Sequence, residues 1–125
     1  MRRSGDIVQL RKRSTGEILL ARLRWCSSFT CRLRGLTWRS GLAPGEGLAL
    51  VESSASRMGA SIHMFFVSFP IAVVWLDSGG RVVDTRLARP WRPAYLPQAP
   101  AQYIVEAAPA LLELVAVGDE MEYTP

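Results

Sequence analysis

The chain has 125 residues, 49% of them apolar and 21% charged, which is the composition of an ordered globular protein of one domain and not of a disordered or fibrous chain. At that length roughly two thirds of the unfolded surface leaves water on folding, so the fold needs no staples. Charge is lopsided: residues 1–40 carry ten Arg or Lys against Asp6 and Glu17, residues 41–125 carry five against nine acids, and the net is +4; such a basic arm can attract phosphate backbones or an anionic surface.

The opening Met-Arg-Arg-Ser-Gly-Asp has basic residues with no apolar run behind them. No export signal is expected, residues 1–5 read as a flexible start, and the chain reads as cytoplasmic. From Ile7 to Arg13 apolar Val8 and Leu10 alternate with Gln9, Arg11 and Arg13, a strand pattern. After a turn at Ser14-Thr15-Gly16, Leu19, Ala21, Leu23 and Trp25 alternate with Leu20, Arg22 and Arg24, which completes a hairpin with a basic outer face. Ser27 or Ser28 can cap a short helix through Arg34, with Arg32 and Arg34 in its last turn and Gly35 as a left-handed exit. Cys26 and Cys31 lie five apart and would point about 140° from each other on a helix, so free thiols in a reducing compartment are expected. Because His63 is the only histidine and no second Cys pair exists, neither a metal nor another cofactor is expected.

A loop at Ala43-Pro44-Gly45-Glu46-Gly47 leads to a short buried strand, Leu48 to Val51, ended by Glu52-Ser53-Ser54. Met58 to Leu76 then runs for nineteen residues without an acidic or basic charge, long enough to raise the question of a membrane span. Pro70, Ser61, His63 and Ser68, with Val67, Ile71, Val73 and Val74, favour two buried strands broken at Phe69-Pro70 instead, so no membrane span is expected. Asp77-Ser78-Gly79-Gly80 signals a hairpin turn between strands Ile71 to Leu76 and Arg81 to Leu87. The proline-rich stretch Arg89 to Pro100 is too poor in free amides for a central strand and reads as a long ordered loop. A strand from Gln102 to Glu106, a short helix from Pro109 through Val115 closed by Gly118, and a last strand from Met121 to Tyr123 complete the chain.

In order along the chain stand Arg32-Leu33-Arg34-Gly35-Leu36 with Arg39, Pro44-Gly45-Glu46-Gly47, Ser61-Ile62-His63-Met64-Phe65-Phe66, Phe69-Pro70-Ile71, Leu76-Asp77, Arg89-Pro90-Trp91-Arg92, Tyr103-Ile104-Val105-Glu106 and Gly118-Asp119. Together these resemble the domain of unknown function 192 family, small and mostly bacterial and archaeal proteins, from about Ile7 to Tyr123. The resemblance implies a mainly β, compact sandwich or barrel-like domain with one or two short helices, and no established reaction or ligand. The chain departs from the family pattern at Thr37, where a methionine is usual and bulky Trp38 follows, and at Ala72, where an aspartate is usual. If that aspartate orders a turn, Ala72→Asp is expected to be neutral or mildly stabilising; if it serves binding, this chain lacks the function.

Candidate chemistry is sparse. His63 is the natural general base by its titration range, yet it stands in an apolar strand pattern with only Ser61 nearby, which is poor geometry for nucleophilic catalysis. Asp77 and Asp84 are expected to face solvent or cap the hairpin, while Glu106, alone in an apolar strand, is a candidate to pair with Arg34 or Arg39. Trp91, Arg92 and Tyr95 on the stiff loop could offer stacking and hydrogen-bonding groups, or could plug one end of the barrel. Two functions therefore stand. The first is a non-enzymatic accessory domain that binds a small ligand or peptide under residues 88–100 near His63. The second is a nucleic-acid or anionic-surface binder using Arg11, Lys12, Arg13, Arg22 and Arg24, although these strands offer only Trp25 as an interleaved aromatic.

Overall fold

A computed structural model describes residues 2–36, 39–92 and 94–124; Thr37 and Trp38, two of the departures noted above, and Pro93 of the proline-rich loop lie outside the described residues. The chain is mainly β, with strands β1 (Ile7–Lys12), β2 (Ile18–Cys26), β3 (Glu46–Ser56), β4 (Ile71–Leu76), β5 (Val82–Ala88), β6 (Ala101–Ala107) and β7 (Met121–Thr124). One helix, α1 (Phe29–Arg34), and a 3-10 turn at Pro109–Glu113 accompany them. The strands form one sheet in the order β5-β4-β6-β3-β2-β1-β7, antiparallel throughout except for the parallel β2–β3 pair. The sheet curls into a half-barrel whose outer strands approach at one corner, where the Val82 amide donates to the Asp119 carbonyl and the Met121 amide to the Gly80 carbonyl. A Cβ at Gly80 would lie 2.5 Å from the Met121 carbonyl oxygen, and its φ is +88°, so only glycine permits this closure.

Alternation along the strands sorts two cores onto the two faces. Inside the curl lie Leu10, Leu23, Trp25, Ala72, Val74, Leu76, Val105 and Met121. On the other face Leu48, Leu50, Ile71, Val73, Trp75 and Ile104 are roofed by Ala60, Ile62, Met64 and Val67. Burial on both faces explains why β4 reads as a continuous apolar run instead of an alternating one.

Most expected elements form close to their expected bounds, and the exceptions have physical causes. Residues 58–69 make no sheet strand. Ile62 and Met64 are buried and Ser61, His63 and Phe65 exposed, as in a strand, but the partner is the proline-rich loop: Ile62 and Tyr95 exchange amide–carbonyl bonds of 3.0 and 2.9 Å, and the Met64 amide donates to Arg92. The Trp75 indole N–H pins this roof to the sheet through the Ala60 carbonyl, 2.8 Å away. Strand β3 extends past the expected end at Val51, and the helix at 109 is shorter than expected and of 3-10 type. No helix among the described residues is long and apolar enough to cross a membrane.

Three other expectations are corrected. Cys26 and Cys31 form a disulfide, with Cα atoms 5.5 Å apart, because Cys26 ends a strand and Cys31 sits in a helix that folds back on it; the single-helix geometry does not apply. The ground for expecting a reducing compartment falls with the free thiols. Asp77 caps its turn by accepting from Gly79 and Arg81, but Asp84 is buried and accepts from the Thr85 and Gln98 amides, tying the proline-rich loop to β5. Ala72 is fully buried on the apolar inner face between Leu87 and Ala107, so its position offers no turn amides for an aspartate to order.

Candidate ligand-binding site

Helix α1 fully buries none of its six residues, and only Cys31 packs against the second core. Ser28 caps it by accepting from the Cys31 amide at 3.2 Å, the disulfide fastens it to β2, and Arg32 reaches Glu52 on β3 at 2.9 Å. Gly35, with φ +50°, turns the chain out of the helix and leaves Arg34 and Gly35 facing the roof segment across a gap.

That gap is a cavity of about 70 Å³ lined by Arg32, Arg34, Ser61, His63 and Glu106 over an apolar floor that includes Leu50 and Ile71. Glu106 lies in the middle of the sheet, with Leu48 and Val73 as its neighbours on β3 and β4, and is only 4% exposed. Burial pushes its carboxyl from the usual 4.5 up to about 7. Among the described residues no ion pair joins Glu106 to Arg34 or Arg39, and Arg39 pairs instead with Glu46 at 2.9 Å. His63 is exposed at the cavity edge, its Nδ1 accepting from the Phe65 amide at 3.2 Å. Ser61 donates to the Met58 carbonyl at 2.7 Å, so its hydroxyl is tied to its own loop.

The structure thus brings together Arg34, His63 and Glu106 and separates them from Trp91, Arg92 and Tyr95. Trp91 plugs no barrel end; it is 54% exposed, has φ +65°, and meets Phe66, at φ +61°, ring to ring at 5.1 Å in an edge contact. Arg92 is exposed and serves through its carbonyl. The Tyr95 hydroxyl accepts from the Arg89 amide at 2.9 Å, and the Arg86 guanidinium stacks over its ring.

The basic hairpin is largely neutralised. Arg11 pairs with Glu122 and Arg13 with Glu120, while Lys12 lies 3.5 Å from Asp119, all on or beside the neighbouring β7. Arg22 is exposed, whereas Arg24 turns toward α1 and joins Arg34 and Arg39 around a second, wider recess of about 390 Å³. Arg32 is the contribution the sequence did not single out, and Arg24, expected to serve an anionic surface, lies instead beside Arg34; a signal existed in the spacing Arg32-Leu33-Arg34-Gly35, but pairing across β2 and β3 decides the rest. No cluster of His, Cys, Asp and Glu able to hold a metal occurs among the described residues.

A curled seven-stranded sheet with a roof segment and a small mixed-polarity cavity defines a mainly β fold of the half-barrel class. Solved structures similar in shape include a Sinorhizobium meliloti protein named as a candidate transcription regulator (TM-score 0.82, 20% identity, 98% of each chain) and a Novosphingobium aromaticivorans protein of unknown function (TM-score 0.77, 18% identity, 93% of this chain and 83% of that one). The family profile DUF192, described as Uncharacterized ACR, matches residues 10–123, and the chain belongs to that family. UPF0127 proteins are similar in sequence: one of Thermococcus sibiricus is 37% identical over 115 residues, 89% of this chain and 71% of its own. Another, of Pyrococcus furiosus, is 36% identical over 110 residues, 86% of this chain and 91% of its own.

Proposed function

We propose that this chain is a non-enzymatic binding or accessory domain whose site is the cavity between α1, the roof segment and β6. The observation that carries the reading is Glu106, a carboxyl only 4% exposed that lines a cavity and whose titration burial pushes up to about 7. Buried polar groups are costly to leave unmatched, so such a placement favours a matching group from outside. A cavity of about 70 Å³ has room for a few water-sized groups, which favours a small ligand, or one end of it, over a peptide segment. Catalysis is disfavoured because Ser61 bonds to Met58 and His63 to Phe65, so neither orients the other. The basic hairpin lends less to a nucleic-acid role, since three of its five cations lie in ion pairs.

The test is a saturation-transfer NMR screen of small polar fragments against the whole chain and against Ser61→Trp. Ser61 is exposed at the cavity edge, so an indole there should close the mouth without disturbing the core. Hits lost in Ser61→Trp support the reading; hits that bind both chains equally place binding elsewhere and overturn it.

A further inference from the structure

We propose that the arginine-lined recess beside the cavity is an anion site, and that the ligand is a small organic acid or phosphate ester. Its anionic group would lie among Arg24, Arg34 and Arg39, and its uncharged polar end would enter beside Glu106. The inference rests on the small-ligand reading above and narrows it to a ligand class.

Three observations support it. First, the recess is lined by Arg24, Arg34 and Arg39 with Thr30, Cys31 and Gly35, and no carboxylate-bearing residue lines it among the described residues; Arg39 also pairs with Glu46. Guanidinium forks match carboxylate and phosphate oxygens in pairs, so this wall selects anions by shape as well as by charge. Second, the Arg24 Nε is buried without a hydrogen-bond partner, as is the Arg32 Nε beside the inner cavity. Native proteins rarely leave such donors unmatched, and a bound anion with its hydration supplies acceptors at this place. Third, recess and cavity share Arg34 and Gly35 as lining, so one small molecule can reach both.

Charge then decides the orientation. Glu106 beside the inner cavity repels a second anion once ionised, whereas a hydroxyl or amide can donate to it and, while it is protonated, accept from it. The disulfide gives the wall its rigidity, because α1 carries Arg34 and is tied to the strand that carries Arg24. A preorganised wall of this kind lowers the ordering cost of binding.

The test is a ¹⁵N–¹H NMR titration of the full chain at pH 6.5 with glycolate, with inorganic phosphate and with neutral ethylene glycol. Saturable shifts of the Gly35 and His63 amides with glycolate are expected, and a response to phosphate at Gly35 alone would mark the anion group as the dominant contact. In Arg24→Gln the affinity for the anion should fall about tenfold, with Arg24→Lys between the two. Should Arg24→Gln not fold, Thr30→Glu, at an exposed position on the recess, sets a negative charge there and should weaken the anion likewise. If ethylene glycol moves His63 while neither anion moves Gly35, the cavity binds but the ligand class is wrong. Anion shifts that stay linear and ignore Arg24→Gln also overturn the proposal, and silence around the cavity with all three probes removes it together with the binding reading.

Discussion

Replacing Glu106 by glutamine should stabilise this protein at neutral and alkaline pH. The native carboxyl titrates near 7 instead of 4.5 because burial disfavours its charge, so between those values the unfolded chain releases a proton that the folded chain keeps. Below pH 4.5 both states are protonated and ionisation of Glu106 costs no stability; as pH rises, ionisation draws the unfolded state down and stability falls, with the full loss reached above about pH 7. The separation corresponds to about 3 kcal/mol. Glu106→Gln escapes this loss, at the expense of about 1 kcal/mol for burying an amide at every pH. Urea unfolding of the two proteins from pH 4.5 to 8.5 gives the difference directly. Its pH-dependent part should grow by about 3 kcal/mol across the range, a relative midpoint shift of roughly 1 to 2 M urea. Parallel curves, or a mutant that loses ground as pH rises, would refute the reasoning, because they would mean that Glu106 is ionised and paired in the folded state.

Three further outcomes are expected. Ala72→Asp should lower stability by about 3 kcal/mol or more in a thermal melt, since position 72 is fully buried on the apolar inner face; an unchanged melting temperature would show a partner there. Thiol titration of the unreduced, denatured chain should find no free cysteine, and reduction should cost about 2 kcal/mol, whereas two reactive thiols before reduction would contradict the disulfide. Binding to duplex DNA should be weak, with a log–log salt slope below about 2, because Arg11, Lys12 and Arg13 are paired; a slope near 4 or 5 would restore the nucleic-acid role.

Local features were legible where local chemistry decides them. The Ser28 cap, the Gly35 exit, the Asp77 turn and the strands β1, β2, β4 and β6 all follow from periodicity, capping and turn chemistry, and Pro70 indeed precedes β4 instead of breaking a membrane helix. What failed depends on distant partners. Ile62 and Met64 alternate like a sheet strand but pair with a loop, and the Cys26–Cys31 bond needs the return of α1 onto β2, which spacing alone conceals. The site was half legible: Arg34, His63 and Glu106 line one cavity, while Trp91 and Tyr95 stand apart and Arg24 lies with Arg34 because the disulfide returns α1 onto β2. Arg39, read as a partner for Glu106, is held by Glu46 only seven residues away.

The central claim is that the cavity beside Glu106 receives a small ligand, and a crystal structure of the protein soaked in a collection of small polar fragments tests it most directly. The account predicts fragment density within the cavity, bonded to Glu106 and bounded by Arg34 and His63. Fragments bound only elsewhere, with Leu36 or Met64 closing a dry cavity over Glu106, would contradict it.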